Sequence, residues 1–137
     1  MTYIIALPWD RPPLTANELR RLHHQALAAR IRDIKAATLL QLRRRDTITW
    51  RRQDGTHEPT ARPTLTVAQS VIFVYQPPDR RRRDADNMSA SLKPCLDAIV
   101  QAGMLPDDSA NYLAMTGQRI VPPAADKRGR VWLEVKP

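Results

Sequence analysis

Cysteine, glycine and histidine are all scarce in this chain, and each scarcity removes a class of function. The one cysteine, Cys95, excludes an internal disulfide framework and a Cys-rich zinc site, and it fits a reducing compartment. Four glycines leave no Gly-rich phosphate loop, so nothing in the sequence supports a nucleotide cofactor. Of the three histidines, His23 and His24 are helix neighbours that point apart and His57 lies in a polar stretch, so no metal-ligand spacing emerges. No run approaches the ~18 apolar residues of a membrane span. The apolar run Tyr3-Ile4-Ile5-Ala6-Leu7 is too short for a signal peptide and lacks preceding basic residues. The expectation is a soluble, cytoplasmic protein with no membrane contact. Neither a repeat nor a linker interrupts the chain. Its 137 residues, 42% of them hydrophobic, suffice for one core, so residues 1–137 are expected to form a single compact domain.

Positive charge, by contrast, is abundant. Lys and Arg number 22 against 14 Asp and Glu, giving a net charge of +8, and Arg dominates the cations. Arg is the side chain whose planar fork matches phosphate oxygens, so a polyanionic partner is expected. The charge is unevenly spread. Residues 1–83 carry 16 basic and 7 acidic side chains, net +9, whereas residues 84–111 carry Lys93 against five aspartates, net −4. Carboxylates beside a phosphate backbone repel it unless a cation intervenes, so an acidic island in a basic body suggests a metal site.

Periodicity predicts an α+β domain, a small mixed sheet covered by a long N-terminal helix and a second helix. Residues 2–8 read as a first strand ended by Trp9-Asp10-Arg11-Pro12-Pro13. From Thr15 to about Arg44 there is no Gly or Pro, Thr15-Ala16-Asn17-Glu18 forms a capping box, and apolar residues recur at helical spacing, which predicts one long helix. Residues 46–63 predict an irregular excursion or a loose hairpin about Asp54-Gly55. Thr64–Tyr75 alternates and then becomes continuously apolar, as in a strand entering the middle of a sheet. A helix is expected from about Asn87 to Ala102, with Pro94 as a disturbance and Gly103 as its stop. Strands are expected at 111–121 and 129–136.

The chemistry concentrates in Asp79-Arg80-Arg81-Arg82-Arg83-Asp84-Ala85-Asp86-Asn87. In extended backbone, residues two apart project to one side, so Asp84 and Asp86 are expected to share a space. An all-oxygen set suits Mg2+ or Mn2+ better than zinc. Asp107 and Asp108, beyond the helix, offer a second pair, and the expected metal set is Asp84, Asp86 and Asp108 with Asp107 as a fourth ligand or a turn residue. The bland alternatives are an Asx turn or N-cap at Asp84 and an ordinary turn at Pro106–Ser109. An EF-hand starting at Asp84 fails at Met88, Ser89 and Cys95. The run Arg80, Arg81, Arg82 and Arg83 is either a solvated charge cluster or a phosphate grip over the metal. Lys93, seven residues after Asp86, is expected on the same helix face, reaching a phosphate oxygen; its alternative is an ion pair with Asp97.

Three blocks, Arg80–Asn87, Lys93-Pro94-Cys95-Leu96-Asp97-Ala98-Ile99 and Ala102-Gly103-Met104-Leu105-Pro106-Asp107-Asp108-Ser109, closely resemble the signature of the RusA-like Holliday junction resolvases. Leu7-Pro8 and Pro12–Asn17 are similar to that family's opening segment. The resemblance implies a homodimer that binds four-way DNA junctions and cuts paired strands by Mg2+- or Mn2+-assisted phosphodiester hydrolysis. By position, it implies catalytic Asp84, Asp86 and Asp108, a functional Lys93 and DNA contacts from Arg80–Arg83. One departure is visible: about three extra residues precede Lys93, and Ala90 stands in the lysine's usual place. The rival expectations are another structure-selective nuclease acting on flaps or other branched DNA, an RNA-processing nuclease or toxin, and a non-catalytic basic DNA-binding module.

Overall fold

A computed structural model describes residues 1–44 and 46–137. The alternating apolar positions of β1 (Thr2–Ala6), β4 (Ala68–Gln76) and β6 (Arg130–Lys136) place Ile5, Val71, Phe73, Leu133 and Val135 on one buried face. These strands form the centre of a six-stranded sheet in the order β3-β2-β1-β6-β4-β5, with β2 at Ile48–Arg51, β3 at His57–Pro59 and β5 at Leu113–Ile120. β6 runs antiparallel to both β1 and β4, while β4 and β5 are parallel, so the sheet is mixed as expected.

Two longer helices, α2 (His24–Arg43) and α3 (Ser89–Gln101), cover the apolar face, and the short α1 (Ala16–Arg21) stands against the start of α3. α3 buries Leu92, Cys95, Leu96 and Ile99, one stripe at helical spacing. α2 buries only its C-terminal half, through Ile34, Thr38, Leu39 and Leu42, and Gln41 there donates from Nε2 to the Ala6 carbonyl at 3.1 Å.

The α+β class is therefore as expected, with two local differences. The single helix expected over Thr15–Arg44 is two helices. Leu22 is extended (φ −70°, ψ 139°) and closes α1, and the His23 imidazole caps α2 by accepting from the Gln25 amide at 3.3 Å. Leu22 packs on the core, and Arg30 reaches back to Glu18 and the Pro13 carbonyl, contacts that a straight helix would lack. The strand expected from Thr64 begins at Ala68, because the preceding segment lies against the helix exit, where the Leu65 amide donates to the Met104 carbonyl. Of the two expectations for residues 46–63, the hairpin about Asp54-Gly55 is the one formed: β2 pairs with β3 around Gly55, whose φ of 86° favours glycine, and Asp54 accepts from the Thr56 amide and hydroxyl.

A parallel pair needs a crossover, and here α3 supplies it between β4 and β5. Gly103 (φ 80°) ends α3, and Met104 donates its amide to Ile99, the stop foreseen at that glycine. This β4–α3–β5 unit positions every candidate residue. Asp84 and Asp86 precede α3, Lys93 lies within it, and Asp107 and Asp108 follow it.

Candidate functional site

Asp84 ends the loop that leaves β4. Its backbone is extended (φ −100°, ψ 119°), and its Oδ1 accepts from the Asp86 amide at 3.0 Å, capping a 3-10 turn at Ala85–Met88 that leads into α3. Asp86 lies inside that turn. The rule that alternate residues share a side holds only for extended backbone, so the expected side-by-side projection of the two carboxylates does not apply here. The capping alternative describes Asp84 directly.

The arginine run divides. Arg81 and Arg83 fold back on Asp79 at 3.0 and 2.8 Å, and these hydrogen bonds, Arg81's foremost, hold the Asp79 carboxyl well below the usual range. Arg83 also donates to the carbonyls of Asp79 and Arg81 and stands 5.9 Å over the Tyr75 ring, so its guanidinium is fixed from several directions. Arg82 and Arg83 line a cleft of about 910 Å3 together with Asp84, Arg11, Arg21 and Arg30. Arg80 is not in that lining; it lines a separate cleft with Pro123 and Lys127.

The walls of this cleft are fastened by contacts distant in sequence. Ser91, fully buried, accepts from the Leu14 amide at 3.0 Å and donates to the Leu14 carbonyl at 2.6 Å. The Asn87 side chain accepts from the Asn17 amide at 3.2 Å. Arg30 joins the Pro13 carbonyl to Glu18. Together these hold the segment carrying Arg11 against the start of the crossover helix. Asp84 thus sits among arginines contributed by the β1–α1 loop, both N-terminal helices and the loop after β4.

Asp107 and Asp108 are not in the lining of this cleft. Lys93 Nζ lies 2.5 Å from Asp108 Oδ2 and 3.1 Å from Asp97 Oδ1, and these partners, Asp108 first, raise the lysine pKa. Asp107, its carboxyl lowered by the Ser109 hydroxyl, lines with Asp108, Asp97 and Lys35 a separate cleft of about 330 Å3. Lys93 therefore faces its own acidic island. The helix proper starts at Ser89, after a 3-10 turn, so the seven-residue spacing from Asp86 is not uniformly α-helical, and the Asp97 ion pair anticipated as the alternative is present.

Among the described residues, no three Asp, Glu, His or Cys side chains converge to hold a metal ion. Asp84 and Asp86 are not joined by Asp108, which is neutralised by an ammonium group. As arranged, the chain does not present the three-carboxylate donor set expected for Mg2+ or Mn2+. Cys95 is packed, as expected; burial pushes its thiol up to about 12, against a contact with the Thr38 hydroxyl.

Sequence reasoning missed Arg11 and Ser91; Ser91 interrupts an apolar stripe without any pattern of its own. Among the described residues, no helix is long and apolar enough to cross a membrane. No protein-family model matches this chain, and no curated protein matches it significantly.

Proposed function

We propose that this protein is a metal-dependent endodeoxyribonuclease of branched DNA, a RusA-like enzyme cutting four-way junctions as a homodimer. The observation that carries the reading is Asp84, opening the crossover helix inside a cleft lined by five arginines, Arg11, Arg21, Arg30, Arg82 and Arg83. Guanidinium forks from separate elements match the oxygens of a bent or branching phosphate backbone, and a carboxylate beside them suits phosphodiester chemistry better than adhesion alone. The three sequence blocks supply the family resemblance. Arg82 and Arg83 grip the backbone, and Asp84, which shares the cleft with Asp10 and Glu18, is the carboxylate assigned to the phosphate they hold. Mg2+ or Mn2+ is the cofactor the resemblance implies, although Asp84, Asp86 and Asp108 do not converge on one ion.

A second reading, a DNA-binding module without catalysis, is favoured by one observation: Asp84 caps a turn and Asp108 pairs with Lys93, so each has a structural task. Labelled four-way junction, flap, linear duplex and single-stranded RNA, incubated with Mg2+ or Mn2+, separate these readings by product length. The nuclease reading expects two matched nicks in the junction, and none from Asp84→Asn at unchanged binding. Full turnover by Asp84→Asn refutes the assignment of Asp84, and metal-independent binding without cleavage supports the second reading.

A further inference from the structure

Beside the Asp84 cleft lies another, of about 570 Å3, between the loop after β1, the arginine run and the loop joining β5 to β6. Arg11, Arg81, Arg83, Lys127 and Arg128 line it, and the only carboxylate in its lining is that of Asp10. Arg11, Arg83, Tyr75 and Asp10 belong to both clefts, so the two are continuous across the fixed Arg83 guanidinium.

The β5–β6 loop is built to present its cations here. Asp126 accepts from the Arg128 amide at 3.1 Å and pairs with the Arg130 side chain; these bonds, Arg130's first, lower its carboxyl to about 2. That arrangement uses the Arg130 side chain and the Arg128 backbone, with a smaller attraction from the Arg128 guanidinium, which forms no ion pair with Asp126. Among the described residues, the side chains of Lys127, Arg128 and Arg11 are in no ion pair. Lys127 closes a turn on the Ala124 carbonyl at φ 55°, a left-handed conformation unusual for lysine. Gly129 then passes so close to the loop after β1 that an added Cβ would overlap the Asp10 carbonyl oxygen. The chain segments next to Arg11 and Arg128 are thereby held in contact, and both residues line this cleft.

A solvated charge run has no need of a fastened loop or of unpaired cations from two loops lining one cleft. We propose that this cleft is a second DNA-backbone site, in which Lys127, Arg128 and Arg11 hold the phosphates flanking those in the Asp84 cleft. The inference rests on the proposed function only for the identity of the polyanion. Each cation neutralising one phosphate contributes about 0.9 to the slope of log affinity against log salt.

The test is Lys127→Asn/Arg128→Gln, in which asparagine tolerates the left-handed backbone, with circular dichroism confirming the fold. Binding to a labelled four-way junction and a linear duplex is titrated from about 50 to 200 mM salt. The expected result is an affinity loss of about tenfold or more at low salt and a slope smaller by about 2. The control Arg32→Gln/Arg43→Gln removes equal charge from the exposed side of α2. An unchanged slope, or a loss no larger than the control's, overturns the inference. Cleavage by the parent protein on the same substrates reads the nuclease proposal separately: if the parent cuts none of them while the loop variant still loses affinity and slope, only the nuclease reading fails.

Discussion

Ser91→Ala tests whether the cleft wall is held as described. Ser91 Oγ is the partner of both polar groups of the Leu14 backbone, 77 residues away, and both residues are fully buried. Alanine fits the space but leaves a buried N–H and a buried C=O without partners. Each such group costs about 1–3 kcal/mol, and with partial relaxation the variant should lose about 2–4 kcal/mol. For a chain of this length that is a fall in Tm of about 3 °C per kcal/mol, so roughly 6–12 °C. Thr38→Val is the comparison. Its hydroxyl donates to Ile34, whose carbonyl retains its helical partner, and otherwise meets only the weakly polar Cys95 thiol, so the cost should stay below about 1 kcal/mol. Urea unfolding gives the two energies, and hydrogen exchange at the Leu14 amide locates the loss. A Ser91→Ala cost within about 0.5 kcal/mol of zero, or a Leu14 amide as protected as in the parent, refutes the reasoning.

Gly129→Ala should destabilise the fold by about 1–3 kcal/mol, since the new methyl group meets backbone rather than a yielding side chain; thermal melting measures it. The raised pKa of Lys93 means that its ion pairs stabilise the fold below the ordinary lysine pKa and lose that contribution as pH rises through the raised one. The stability gap between the parent and Lys93→Met should therefore be constant near neutrality and close in strong alkali, as followed by urea melts across pH; a gap that widens contradicts the pairing. Cys95, buried with a thiol pKa near 12, should resist alkylation at pH 8 until the chain unfolds, and rapid labelling of the native protein would show that the α2–α3 packing is wrong.

Local order was legible in the sequence wherever one pattern dominated. The alternation of Val71, Phe73 and Tyr75, and of Val131, Leu133 and Val135, reports a buried sheet face directly, and Asp54-Gly55 reports its hairpin. The break at Leu22–His23 was not legible: no Gly or Pro marks it, and it is tied to contacts between Arg30, Glu18 and Pro13 that exist only once the chain has turned. The candidate site divides in the same way. That Asp84 opens a helix could be read from its capping position. Which carboxylates meet depends on tertiary placement, and Lys93 turns to Asp108, a partner 15 residues along the chain, whereas the spacing from Asp86 suggested a phosphate-facing role. The cleft itself draws arginines from four separate segments, so no local window contains it.

Charge placement gives the arrangement its functional content. Asp79 and Asp126 neutralise and orient some arginines, leaving Arg11, Arg82, Lys127 and Arg128 along two joined clefts. The acidic cluster of Asp97, Asp107 and Asp108 is balanced by Lys93 and Lys35 on another part of the surface. The Asp84 carboxylate and these cations therefore line two joined clefts, whereas Asp107 and Asp108 line a separate one.

The most direct measurement is product length from an end-labelled four-way junction incubated with Mn2+ and either the parent protein or Asp84→Asn. The account predicts paired nicks with the parent and intact strands with the variant, both proteins binding the junction equally. Binding without cleavage by the parent, or equal cleavage by the two, contradicts it.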